Sequence, residues 1–459
     1  MQNHSQKLRL LSALCLAGFL IAPLSAQTLF WDTSDDTGLQ AGDGNWSTET
    51  VNWNEDADGE DSRVVWANGA DAVFNAAGTS NVAAQGTTNT QVSNITFQSG
   101  IVSVSGSLRL NAGGSITMEA GAGASGFTDT GNSDGVRPAG ASTYTNNNIS
   151  DNLTIGRIQR LSAGQNINLS FAGAGDTVVS VLANSGTGSV TKDGAGTLTI
   201  NSRSNQNNQT FIVNGGVLNL GLSDNVTTAT NATALTLNGG ALRTNHDRTT
   251  GISNAAHGIT LGASGGTLEQ TGSTTFTQAG VISGGGDLTK TGTGTLHLSG
   301  DAVHTYTGAT HVNNGILLVD ATLDGSGGAL TIGGNGTLGG TGIINRDIHF
   351  DAGAKLIFDP DATLNVDGGT VSFDGFGFSD LVGFDAFDGL GTFTLFGGDF
   401  TLNTANISNF GAGDPLDLGD GRSAYFKEGS LQVVVIPEPG TLMLLGIALG
   451  ALLLFRRRR

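Results

Sequence analysis

The chain has 459 residues and a formal net charge of −19, with 20 Lys and Arg against 39 Asp and Glu. That balance excludes a nucleic-acid binder, which needs a basic face, and suits an extracellular surface or one that collects divalent cations. Glycine is abundant at 73 residues, charged residues are only 13%, and the single cysteine, Cys15, falls in the leader, so the mature chain has no disulfide and no thiol chemistry.

Met1–Ala26 reads as a secretory signal peptide. Lys7 and Arg9 make its basic start, Leu10–Ile21 its apolar run and Leu24-Ser25-Ala26 its processing site, with cleavage after Ala26. A lipoprotein reading of Cys15 is disfavoured, because Leu14 before it is large and the apolar run continues past it.

Residues 27–75 hold all four tryptophans: Trp31, Trp46, Trp53 and Trp66. Their large apolar area suits a cap over the open end of a stacked structure; a carbohydrate platform is the alternative. Within this segment Asn54, Asp56, Asp58 and Gly59 follow the first half of a calcium loop. Val65 stands at the twelfth position, where a bidentate Glu is needed, so a solvated acidic loop over 54–61 is the expected reading.

Short alternating runs follow: Val92–Phe97, Ile101–Val104, Leu108–Leu110, Ile116–Met118 and the stretch Asp151–Phe171. Each is bounded by Gly, Ser or Asn, as half-buried strands are. Gly121–Asn148 has few large apolar residues and reads as an inserted loop.

A repeat then emerges. Val190-Thr-Lys-Asp-Gly-Ala-Gly-Thr-Leu-Thr-Ile200 is followed by Thr210-Phe-Ile-Val-Asn-Gly-Gly-Val-Leu-Asn-Leu220. It returns as Leu288-Thr-Lys-Thr-Gly-Thr-Gly-Thr-Leu-His-Leu298 and Ala309-Thr-His-Val-Asn-Asn-Gly-Ile-Leu-Leu-Val319. Leu198 and Ile200 alternate with Thr197 and Thr199, so one face is apolar and the other hydroxylated. Glycines break each arm into corners. Such a unit buries its apolar face only by stacking on copies of itself, which is a β-solenoid. Looser echoes at Leu235–Leu242, Ile259–Leu268, Leu330–Leu338 and Ile348–Phe358 extend it, for on the order of a dozen turns of roughly 20–25 residues and a rod about 60 Å long over residues 76–370.

The Lys-x-Gly-x-Gly-Thr-Leu arm with its Asn-x-Gly second arm resembles the autotransporter-associated beta strand repeat, at 190–220 and 288–319. The resemblance implies an all-β, right-handed parallel β-helix on an exported, surface-associated protein, and no enzyme. Residues 371–435 are dense in Phe and Gly, suggest a second aromatic cap, and close on two strands over Gly421–Val435.

At the end, Pro437-Glu438-Pro439 precedes the apolar run Gly440–Phe455 and then Arg456, Arg457, Arg458 and Arg459. A helix over that run is about 24 Å long, slightly short of a hydrocarbon core of about 30 Å, and the four arginines hold the cytoplasmic side. This order over 436–459 resembles the PEP-CTERM sorting signal. It implies membrane passage, recognition by an exosortase-type transpeptidase, and release or attachment at the cell surface. No run of alternating barrel strands closes the chain, so self-translocation is not expected.

Asp351, Asp359 and Asp361 lie near Lys355, and Asp359-Pro-Asp361 reads as a turn rather than a catalytic pair. His297, His304 and His311 fall seven apart, with His297 and His311 on outward positions and no ligand set around them. No catalytic residue, cofactor or metal ligand is expected. The sequence reads as an exported, non-enzymatic surface or extracellular-matrix protein, adhesin-like or associated with exopolysaccharide. A β-helix polysaccharide lyase or hydrolase and a permanently anchored envelope protein are the alternatives.

Overall fold

A run of three to five alternating residues buries one face only when another run lies against it. The computed structural model shows how this chain meets that demand. It describes residues 26–437, except 89, 132–133, 163–164, 184–187, 203–209, 222–234, 247, 251–257, 420 and 430. Short strands stack in parallel on their counterparts one turn later, giving an all-β solenoid of about a dozen turns. In the middle of the chain each turn has three strands. Leu235–Leu237, Ile259–Leu261 and Ile282–Gly284 form one wall. Ala241–Thr244, Gly266–Gln270 and Leu288–Thr291 form the second. Arg248–Thr250, Thr275–Gln278 and Thr295–Leu298 form the third. Long strands such as Thr310–Val319 turn a corner and serve two walls. Among the described residues there is no α-helix, only two single turns of 3-10 helix at Phe378–Asp380 and Phe384–Ala386.

The expected inserted loop at Gly121–Asn148 is corrected. Ser125–Phe127, Gly135–Pro138 and Ser142–Asn146 are strands that stack in parallel on Ile101–Met118. Each brings a buried anchor: Phe127, Val136 and Tyr144. One large side chain per strand fills its share of the core, so the low apolar content was no sign of a loop.

At the start, Thr28–Trp31 pairs antiparallel with Val51–Asn54 and parallel with Asp71–Phe74, which joins the solenoid ladder. The four indoles pack as a cluster, with Trp31 and Trp53 edge-to-face at 5.1 Å and Trp46 and Trp66 edge-to-face at 5.1 Å. All four are buried, which removes the sugar-platform alternative, since no ring face is open to stack on a sugar. At the far end Phe373, Phe376, Phe378, Phe384 and Phe396 are buried in the same way.

The repeats hold one unexpected feature. Lys192 and Lys290 point inward and are buried. Lys290 sits in register between Leu268 and Val312, so its stem joins the apolar column. Its ammonium donates to the carbonyls of Thr291, Gly292 and Asn314 at 2.8, 2.8 and 3.0 Å. Lys192 does the same to Asp193, Gly194 and Gly215. Each ammonium therefore ties the corner of its own turn to the corner of the next. Gly292 and Gly315 form those corners with φ of +73° and +75°. A Cβ on Gly315 would lie 2.8 Å from the Lys290 Nζ and 2.4 Å from each of two corner carbonyls, so only glycine fits there. Burial pushes the Lys290 amine down to about 8, against the opposing pull of Glu269. Burial also lowers that of Lys192, with Asp193 and Asp176 opposing.

Lys290→Met keeps the stem and strips the donor from three buried carbonyls, so urea unfolding should show a loss of about 3 kcal/mol. The Lys290 amine titrates near 8 when folded and at the ordinary 10.5 when unfolded. Burial therefore penalises the charged form, a cost that is absent above the unfolded value and grows as pH falls toward 8, while the neutral amine can still donate to the corner. The advantage of the wild type over Lys290→Met should widen by about 2 kcal/mol between pH 8 and pH 10.

Candidate functional site

The tail leaves the body from a defined place. Gln432–Pro437 is the last described strand, paired antiparallel with Arg422–Lys427 and with Gly391–Thr394. Val433 and Val435 point into the core, and the pairing ends at Pro437 opposite Arg422. Proline suits that terminal rung, because it has no N–H to continue the ladder. Pro437 is thus fixed to the folded body. Glu438, Pro439, the helix expected over Gly440–Phe455 and Arg456–Arg459 lie outside the described residues, as does all but Ala26 of the leader expected over Met1–Ala26. Among the described residues no helix is long and apolar enough to cross a membrane.

The candidate carboxylates do not converge on a substrate-sized cleft. Asp359 Oδ1 accepts the Asp361 N–H at 3.0 Å, so Asp359-Pro360-Asp361 is a turn. Lys355 donates to the Ser379 carbonyl at 3.1 Å and lies 3.9 Å from Asp380. Asp351 instead faces His349 at 3.3 Å. A cavity of about 490 Å³ opens in the Phe-rich end beside Phe378, Phe384 and Phe387. Asp385 is the one carboxylate on its wall among the described residues, and a glycosidase needs two. Arg422, also on that wall, donates to the Phe387 and Gly389 carbonyls.

The acidic loop at 54–61 satisfies itself. Asn54 is buried; its amide donates to Asp32 and to the Asp61 carbonyl, and its oxygen accepts the Asp56 N–H. Asp56 Oδ2 accepts the Glu60 N–H. Two of the would-be ligands are therefore occupied by the loop's own backbone.

The three histidines part company. His297 faces outward and bonds Asp320 at 2.7 Å. His311 lies outward on a different wall, in register with Thr289 and Thr331. His304 turns inward, is fully buried, and its Nδ1 accepts the Ile282 N–H at 3.0 Å. Burial, with Arg346 nearby, drives the His304 imidazole down to about 4. Arg346 lies over the Tyr306 ring at 4.2 Å and donates to the carbonyls of Tyr306, Gly308 and Asp324. These groups fasten a corner and present nothing to solvent.

Sequence reasoning missed His349, Ser372 and Asp374. His349 and Ser372 are in register on adjacent turns, so the chain separates what the stack unites. Only knowledge of the turn length could have paired them.

Two families match parts of this chain. The passenger-associated-transport-repeat matches residues 190–220 and 288–319, the two segments built around Lys192 and Lys290. The PEP-CTERM protein-sorting motif matches residues 435–459, beginning within the last strand. The chain carries both. No curated protein and no solved structure matches it. The PEP-CTERM motif implies recognition by an exosortase-type sorting system, export, and surface or extracellular placement. The transport repeats within a parallel solenoid fit the same destination.

His304 offers a test of the buried corner. The imidazole titrates near 4 in the folded chain and at 6.5 unfolded, so it contributes stability that is complete above the unfolded value and lost as pH falls through that window. Unfolding free energies should drop by about 3 kcal/mol from pH 7 to pH 4 through this group alone. In His304→Gln the side-chain oxygen still accepts the Ile282 N–H but cannot titrate, so that component of the acid loss should vanish.

Proposed function

We propose that this chain is a non-enzymatic surface or matrix protein whose solenoid wall adheres to extracellular polysaccharide after exosortase-type processing of its tail. In this reading the leader is cleaved after Ala26, the helix over Gly440–Phe455 holds the body at the membrane during sorting, and the Trp-rich and Phe-rich clusters cap the two ends of the rod. The observation that carries the reading is a column of outward polar side chains on one wall. Thr267, Thr289, His311, Thr331, His349 and Ser372 stand in register on successive turns, each half-buried at its base. At about 4.8 Å per rung they offer regularly spaced hydrogen-bonding groups to a polymer. A second wall carries Ser170, Thr191, Thr236, Thr260 and Ser283, interrupted by Ile212. The chain's acidity favours neutral or cation-bridged glycans over strongly anionic ones.

Two measurements test this. Purified chain should co-sediment with extracellular polysaccharide without releasing reducing ends or unsaturated sugars, and Thr289→Val with Thr331→Val should weaken that binding. Depolymerisation of the glycan would contradict the reading in favour of a lyase or hydrolase. In cells, deletion of Pro437–Arg459 should move the protein from the envelope fraction to the medium or leave it unsorted. The mature protein's mass should place its C-terminus ahead of Arg459; a chain still ending there would mean a permanent anchor.

A further inference from the structure

The outer wall brings together one imidazole and two carboxylates that no other feature of the protein explains. His349 lies outward in Ile348–Phe350, and Asp351 follows that strand directly. Asp374 directly follows Thr370–Phe373, the strand stacked upon it. Because His349 is in register with Ser372 and Phe350 with Phe373, Asp351 and Asp374 fall over one another on adjacent turns. His349 Nε2 is 3.3 Å from Asp351 Oδ1 and 3.3 Å from Asp374 Oδ2, and the three ligand atoms all lie within 4.8 Å of each other.

Like charges on neighbouring rungs repel. Among the described residues neither carboxylate pairs with Lys or Arg, and Lys355 is directed to Ser379 and Asp380. A single N–H on Nε2 can point straight at one carboxylate but not at both. A cation held between the three groups satisfies all of them. Donors about 2.0–2.1 Å from a tetrahedral ion are roughly 3.3 Å apart, which is the separation of Nε2 from each carboxylate oxygen. The other imidazole nitrogen is already held: Nδ1 lies 2.9 Å from Ser372 Oγ. With Nδ1–H donating to that hydroxyl, Nε2 presents its lone pair toward the carboxylates, which is how ligating histidines are oriented.

We propose that His349, Asp351 and Asp374 form a divalent transition-metal site of the zinc class on the outer wall of the solenoid, with Ser372 positioning the imidazole. The imidazole selects such ions over calcium and magnesium, which take oxygen ligands. The side chains are 34%, 46% and 60% exposed, so further coordination positions open to solvent and can take water or an outside oxygen ligand. The site shares His349 and Ser372 with the adhesion column, but its geometry stands whether or not the wall binds polysaccharide.

The test is calorimetric titration of the full chain with zinc chloride alone, with calcium chloride as comparator, in a non-coordinating buffer. One zinc per chain should bind with imidazole and oxygen ligands by X-ray absorption. His349→Ala and Asp374→Asn should each remove that binding, and Ser372→Ala should weaken it about tenfold. All three change outward, solvent-facing groups, and unchanged far-ultraviolet circular dichroism confirms the fold of each. Absence of zinc binding at one per chain, binding unaltered in His349→Ala and Asp374→Asn, or equal affinity for calcium would each overturn the proposal.

Discussion

A buried ammonium clasping main-chain carbonyls at the corners of the stack is the interaction on which this architecture depends. A solenoid wall satisfies its own backbone through parallel ladders, but each corner breaks the ladder and turns carbonyls inward. A buried carbonyl without a donor is costly. Lys192 and Lys290 solve this with a stem that joins the apolar column and a head that reaches three carbonyls across two turns. The same task recurs along the rod in other chemistry. Asn146 donates to the Asp151 and Asp176 carbonyls, Gln278 to Gly280, and Arg346 to three carbonyls at once. All four kinds of side chain are buried. These buried polar side chains fasten corners in a chain whose single cysteine allows no internal disulfide.

That constraint gives the repeat motif a physical meaning. The lysine supplies the donor and the first glycine after it makes the positive-φ corner. The later glycine, Gly216 or Gly315, lets the next turn approach within reach of the same ammonium. Val190 and Lys192 have the same parity along the strand, as do Leu288 and Lys290. The inward direction of both lysines was therefore legible from alternation alone, once the usual exposure of lysine was set aside. The strand walls, the buried aromatic ends and the closing hairpin were legible too, because each rests on local periodicity or local clustering.

What escaped the sequence depends on register. The turn at Gly121–Asn148 was hidden because its strands are three to five residues long and bring one large anchor each. The grouping of His349 with Asp374 was hidden because a turn takes roughly 18–32 residues and its length varies along the chain. Side chains 25 positions apart meet only when that length is known. The histidines that did attract notice at fixed spacing, His297, His304 and His311, ended on two walls and in the core. Fixed spacing in sequence is a poor guide where the number of residues per turn drifts. The tail shows the converse case. Pro437 is tied into the last hairpin, and the match to the sorting motif begins within that strand, at residue 435.

Differential amine labelling tests the buried-ammonium account most directly. Besides Lys7 the chain has four lysines, of which Lys355 and Lys427 face solvent and Lys192 and Lys290 are enclosed. Brief acetylation of the native protein near neutral pH, read by peptide mass spectrometry, should modify Lys355 and Lys427 and spare Lys192 and Lys290 until denaturant is added. Equal modification of all four in the native state would contradict the account, because it would place those ammonium groups in water and leave the corners held by something else.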